Sequence, residues 1–146
     1  MPEATVLPPS FYQEVDGLLY FPRLCEKIRL MNLGTLHPDF HTNLGRGMDL
    51  WTCQFLRVSY EALRETVLSG ASDAEALAWA KEQGGSRPDC EQEWFNAYLR
   101  TRGFRDDFSE RLASRKREDP RTDREDILTF ADYIEIDEGR ELPTLS

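Results

Sequence analysis

Tyr20, Arg23, Lys27, His41 and Asp49 are the residues whose types and spacing best suit joint chemistry in this chain. Arg23 and Lys27 stand one helical turn apart and could hold a carboxylate or phosphate if the polar loop downstream folds over them. Tyr20, His41 and Asp49 would add a phenol, an imidazole and a carboxylate, a mixed set of donors and acceptors suited to a small polar ligand. The competing account makes the same cations a solvent-facing row that pairs with Glu26 or with the acidic C-terminal helix.

Other constellations carry less. His37-Pro38-Asp39-Phe40-His41 resembles a metal clip, but the imidazoles would share a face only on a continuous helix, which Pro38 opposes. Ordinary loop histidines, one bonded to backbone, fit better, and neither a metal nor another cofactor is expected. Gly45-Arg46-Gly47 ahead of Met48 could cradle an anion at a helix start. Leu50, however, stands where a dinucleotide fingerprint needs its third glycine, and Asp49 puts negative charge where a phosphate would lie. A tight turn feeding a capped helix is the simpler reading. Cys90 is ringed by Asp89, Glu91 and Glu93, which oppose a thiolate. Asp132, Glu135, Asp137 and Glu138 lack the spacing of a calcium loop and read as a solvated helix end or a partner-facing surface. Trp79, Trp94, Phe95, Tyr98, Phe104 and Phe108 read as core, because aromatic residues at helical spacing usually supply buried area. No nucleophile elbow or phosphate-binding loop is present, so the motifs favour a non-catalytic role and leave an enzyme as the alternative.

These side chains must be positioned by helices. Leu24, Ile28 and Met31 recur at helical spacing after Pro22 and stop at Asn32 and Gly34. Residues 35–47 form the one long irregular loop, the first place to seek a site on anatomical grounds. A helix over residues 48–57 follows, then one capped by Ser59 that carries Leu63 and Val67, then one opened by the Ser72/Glu75 capping box. Pro88 opens the next. Phe104, Phe108 and Leu112, spaced by four, predict a further helix, and Thr122 with Glu125 predicts a second capping box leading to Ile127, Phe130, Ala131 and Ile134. Asp16-Gly17 signals a turn, but no alternating runs flank it to make a hairpin. The fold class is therefore all-α: a compact single-domain bundle of about six or seven helices. A flexible or draped N-terminal arm over residues 1–15, one domain over residues 16–140 and a tail over residues 141–146 complete the organisation.

Composition narrows the partners. A chain of 146 residues can bury a core without disulfide or metal staples. A formal charge of -9 argues against nucleic acid and anionic membranes, both of which recruit Lys and Arg. The acidity gathers after Asp123, beside a basic block that includes Arg111, Arg115, Lys116, Arg117 and Arg121, and pairing between neighbouring helices is expected. Three cysteines without paired spacing, and no leader-like start, suit a reducing cytoplasm.

Taken together, Phe21-Pro22-Arg23-Leu24 with Glu26-Lys27, Gly34-Thr35-Leu36, Phe40-His41 and Asp49, then Ala78-Trp79, Trp94 with Asn96-Ala97-Tyr98, Arg102-Gly103-Phe104-Arg105-Asp106 and Asp126-Ile127 through Asp137-Glu138-Gly139-Arg140, resemble a bacterial domain of unknown function, DUF5069, over residues 17–140. The chain departs from that family's pattern at Gly45-Arg46-Gly47, where a Cys-Pro-like approach to Asp49 is expected. The resemblance implies a compact domain and transfers no activity. The expectation is a small cytoplasmic helical domain that binds a protein partner or small polar ligand without catalysis. The alternative is an enzyme or ligand sensor built on Tyr20, Arg23, Lys27, His41 and Asp49, and a homodimer packed through the aromatic residues or the acidic helix is a further possibility.

Overall fold

The computed structural model describes residues 5–143; the first part of the expected arm, residues 1–4, and the end of the expected tail, residues 144–146, lie outside the described residues. The fold groups into two compact units, one up to Glu93 and one from Trp94.

The first unit opens on a hairpin. Strands β1 (Glu14–Val15) and β2 (Leu18–Leu19) pair antiparallel, with Val15 opposite Leu18. Asp16 and Gly17 both take positive φ, 47° and 81°, as a two-residue turn matched to strand twist requires. This corrects the all-α expectation to a mostly helical fold with a small sheet. Each strand is two residues long, too short for the alternation that marks a strand in sequence.

Helix α1 (Phe21–Leu33) begins directly after Tyr20, with Pro22 inside its first turn, where a missing N–H costs nothing. Gly34, at φ 76°, closes it in the left-handed conformation. The loop after it is more ordered than expected: Leu36 is buried and Pro38–Asn43 forms a 3₁₀ helix. Helices α2 (Met48–Leu56), α3 (Tyr60–Leu68) and α4 (Asp73–Gly84) follow. Ser59 accepts from the Ala62 N–H, and Ser72 and Glu75 form the reciprocal box read from sequence. Helix α1 packs on α3 and α4, and α2 packs on the same two, around Phe21, Leu24, Leu63 and Leu77. Gly84 is required there, because a Cβ would lie 1.8 Å from the Leu56 carbonyl oxygen.

The stretch read as an arm is tied down over its described part. Val6 donates its N–H to Thr35 O and forms a parallel bridge with Leu36, and Phe11 is fully buried.

Helix α5 (Asp89–Thr101) leads into the second unit, which holds α6 (Ser109–Arg117) and α7 (Phe130–Asp137). Leu99, Leu112, Ile127, Ala131 and Ile136 are its buried apolar side chains among the described residues. The predicted helix through Phe104 and Phe108 instead starts at Ser109. Asp106 accounts for the delay: its carboxylate accepts from the Gly103 and Phe108 N–H groups and holds a turn that a helix would abolish. The expected Thr122/Glu125 box is also absent. The Thr122 hydroxyl donates to the Lys116 and Asp119 carbonyls and closes α6, while Thr129 caps α7 by accepting from Asp132 N–H.

Candidate functional site

Three of the five candidate residues meet. The Lys27 ammonium donates to Asp49 Oδ1 at 2.6 Å and to the Tyr20 hydroxyl at 2.8 Å, and that hydroxyl donates to Asp49 Oδ1 at 2.5 Å. Tyr20 sits at the junction of β2 and α1, Lys27 two turns along α1, and Asp49 in the first turn of α2, so the cluster ties hairpin, first helix and second helix together. All three side chains are buried, Asp49 completely. Desolvating a carboxylate is costly unless donors replace its water, and Asp49 has that replacement in the ammonium, the phenol and the Gly45 N–H, which donates to Oδ2 at 3.0 Å.

The Gly45-Arg46-Gly47 turn does cradle an anion, but the anion is Asp49 of the same chain. Gly45 is required twice: its φ is 74°, and a Cβ would lie 2.9 Å from the Tyr60 ring. Burial raises the Tyr60 phenol to about 12, with the Asp49 charge adding to it, and the same two causes raise the Cys53 thiol to about 12. Cys25 is pushed up chiefly by burial. Neither buried thiol is a nucleophile at neutral pH.

Arg23 is buried too, and its guanidinium donates to the Pro9 carbonyl at 3.0 Å and lies 5.6 Å from the Phe40 ring centre. It therefore joins the N-terminal segment and the 3₁₀ helix to α1. The solvent-facing reading of Arg23 and Lys27 is wrong for both: the hairpin, the N-terminal segment and α2 cover that side of α1. Glu26, their expected surface partner, pairs with Arg29 instead, which also reaches Asp73 at 2.8 Å.

His41 is exposed, and its Nε2 donates to the Leu36 carbonyl, while His37 Nδ1 accepts from the Asp39 N–H and caps the 3₁₀ helix. Both imidazoles thus serve the loop's own backbone. No group of three or more His, Cys, Asp or Glu able to hold a metal occurs among the described residues.

Sequence reasoning missed Gly45 and Tyr60 as members of this neighbourhood, and Phe11, whose ring packs 5.2 Å from that of Tyr20. A glycine four residues before a helical aspartate was the available signal for the first. Nothing local announces the other two, which arrive from distant elements.

The aromatic set assigned to the core is the larger correction. Trp94 is 67 % exposed, Tyr98 43 % and Phe104 46 %, and Trp79, Phe95 and Phe108 are half-buried. Helical spacing sets which residues share a face and says nothing of whether a neighbour covers it. The acidic helix end is corrected in the opposite sense: Glu135 is buried and the Glu138 side chain nearly so, because the chain turns at Gly139 and brings the Arg140 guanidinium to 3.4 and 2.6 Å from their carboxylates. Within the basic and acidic blocks, Arg121 pairs with Asp119 and Arg124 with Asp126, both two residues away, and the Arg121 guanidinium also interacts with the Asp137 charge on α7.

Residues 5–140 match the family model described as a domain of unknown function, DUF5069, so the chain belongs to that family. No curated protein matches the chain. No helix among the described residues is long and apolar enough to cross a membrane.

Proposed function

We propose that this DUF5069 member is a non-catalytic domain that binds a protein partner through the exposed face of α5. The observation that carries this reading is Trp94, the most exposed large aromatic side chain of the described residues, one helical turn from the exposed Tyr98. Trp and Tyr are the residues most often found at the energetic centre of protein interfaces, where their apolar bodies are covered and their polar tips find partners.

The geometry disfavours the alternative of an enzyme or sensor using Tyr20, Arg23, Lys27, His41 and Asp49. A catalytic group must reach substrate, yet the donors and acceptors of the buried trio are directed at one another, and His41 is engaged with backbone. The cluster reads as an internal tie.

A photo-crosslinking residue placed at position 94 tests the proposal in the native cell. A discrete, saturable protein adduct should form, and the same probe at the exposed Glu82 on α4 should not form it. Equal labelling from both positions, or none from position 94, would count against this function.

A further inference from the structure

In the second unit, exposed aromatic residues are interleaved with arginines. The Arg102 guanidinium lies 5.0 Å from the Tyr98 ring centre and 4.2 Å from that of Phe108, and Arg111 lies 4.8 Å from Phe108. Tyr98, Arg102, Phe108 and Arg111 thus form an alternating stack that runs from the exposed face of α5 to the exposed side of α6. Trp94 continues that face one turn back. Thr101 lies on it at helical spacing, and Phe104 follows, its N–H donating to the Thr101 carbonyl. Arg105 lies 5.3 Å from the Phe104 ring centre.

The charges of this stack are unequal in their commitments. Arg102 is buried and bound to Asp106 and Asp107 at 3.1 and 3.0 Å, which accounts for it as structure and holds the Asp107 carboxyl below its usual range. Arg105 and Arg111 are exposed and stacked on ring faces, and neither forms an ion pair among the described residues, although the Arg111 charge helps to lower the Asp107 carboxyl. Arg105 also takes φ 52°, a conformation that glycine or asparagine would adopt at less cost. From Trp94 to Arg117 the sequence carries seven cations and three carboxylates, against a net charge of -9 for the chain, so the segment that bears the strip is locally basic on an acidic molecule.

We infer that the strip binds an acidic peptide segment that carries an aromatic anchor, with the anchor on Trp94 and Tyr98 and carboxylates on Arg105 and Arg111. This rests on the partner-binding reading above and names the partner's chemistry. A guanidinium already stacked on a ring keeps its in-plane N–H donors free for a planar carboxylate, and an added aromatic side chain extends the same stack. A single-stranded nucleic acid could also stack here. It carries a charge at every nucleotide, however, and would meet the repulsion of the whole acidic chain, whereas a peptide can confine its carboxylates to the strip.

The test uses the full chain and fluorescent peptides that alternate Glu and Trp, the same peptides with Gln or Lys in place of Glu, and an oligothymidylate. The Glu peptide should bind at least about tenfold tighter than the Gln form, and Arg105→Ala with Arg111→Ala should erase that margin while circular dichroism stays unchanged. Trp94→Ala should weaken both the Glu and Gln peptides. Equal or tighter binding of the Gln or Lys peptide or of the oligonucleotide overturns the inference, as does no binding of any probe. If the position-94 crosslink still forms, the partner-binding reading survives that failure; if it does not, both fall.

Discussion

Asp49 shows how residue identity and position work together. Its carboxylate is fully buried and accepts from an ammonium, a phenol and a backbone amide, so each donor has a separate energetic role. Removing the cation leaves a buried charge short of a partner, whereas removing both charges leaves two apolar groups that can pack. Lys27→Met is therefore expected to cost about 3 kcal/mol in urea denaturation, and Lys27→Met with Asp49→Leu distinctly less than the sum of the single changes. Additive costs would show that the ion pair is not the tie described. At this scale the candidate site was partly legible. The types and approximate neighbourhood of Tyr20, Lys27 and Asp49 followed from helical spacing and a loop. Their burial did not, because it depends on Phe11 and on α2 arriving from elsewhere in the chain.

Elements were legible where a local hydrogen bond defines them. Ser59 and Ser72 each satisfy an orphan N–H of the helix that follows, and the polar side chain three residues ahead of its partner is visible in sequence. Thr122 and Glu125 carry the same pattern without forming the motif, since the Thr122 hydroxyl is taken by the end of α6. Thr129→Ala should lower stability by about 1 kcal/mol, or roughly 2–4 °C in thermal unfolding, whereas Glu125→Ala should stay within about 0.5 kcal/mol. A larger loss from Glu125 would restore the capping box at Thr122. The β1–β2 hairpin escaped prediction for the complementary reason: its turn chemistry was visible, but its strands hold together by pairing and by packing on α1, and neither leaves an alternating pattern.

At the scale of the whole molecule, burial and charge act together on titration. The Cys53 thiol and Tyr60 phenol are raised to about 12 from ordinary values of 9.0 and 10.0, first by desolvation and then by the Asp49 charge, and Cys25 and Tyr133 are raised as well. The fold favours the protonated forms, so their contribution is intact below pH 9. Above that the unfolded chain ionises first, and stability declines as pH climbs toward 12. Urea midpoints should hold level between pH 7 and about 8.5 and fall clearly by about pH 10.5, less so in a Cys53→Ala, Tyr60→Phe variant. A flat profile would contradict the burial of these groups. Sequence by itself determined the helical class, most helix starts and stops, the family and the residues that could form a polar cluster, because periodicity, caps and glycine stops act within a few residues. Tertiary structure alone decided which polar groups are closed off and which aromatic residues remain uncovered. Exposure depends on what packs against a face from a distance in sequence, and no spacing along one helix encodes that for Lys27 or Trp94.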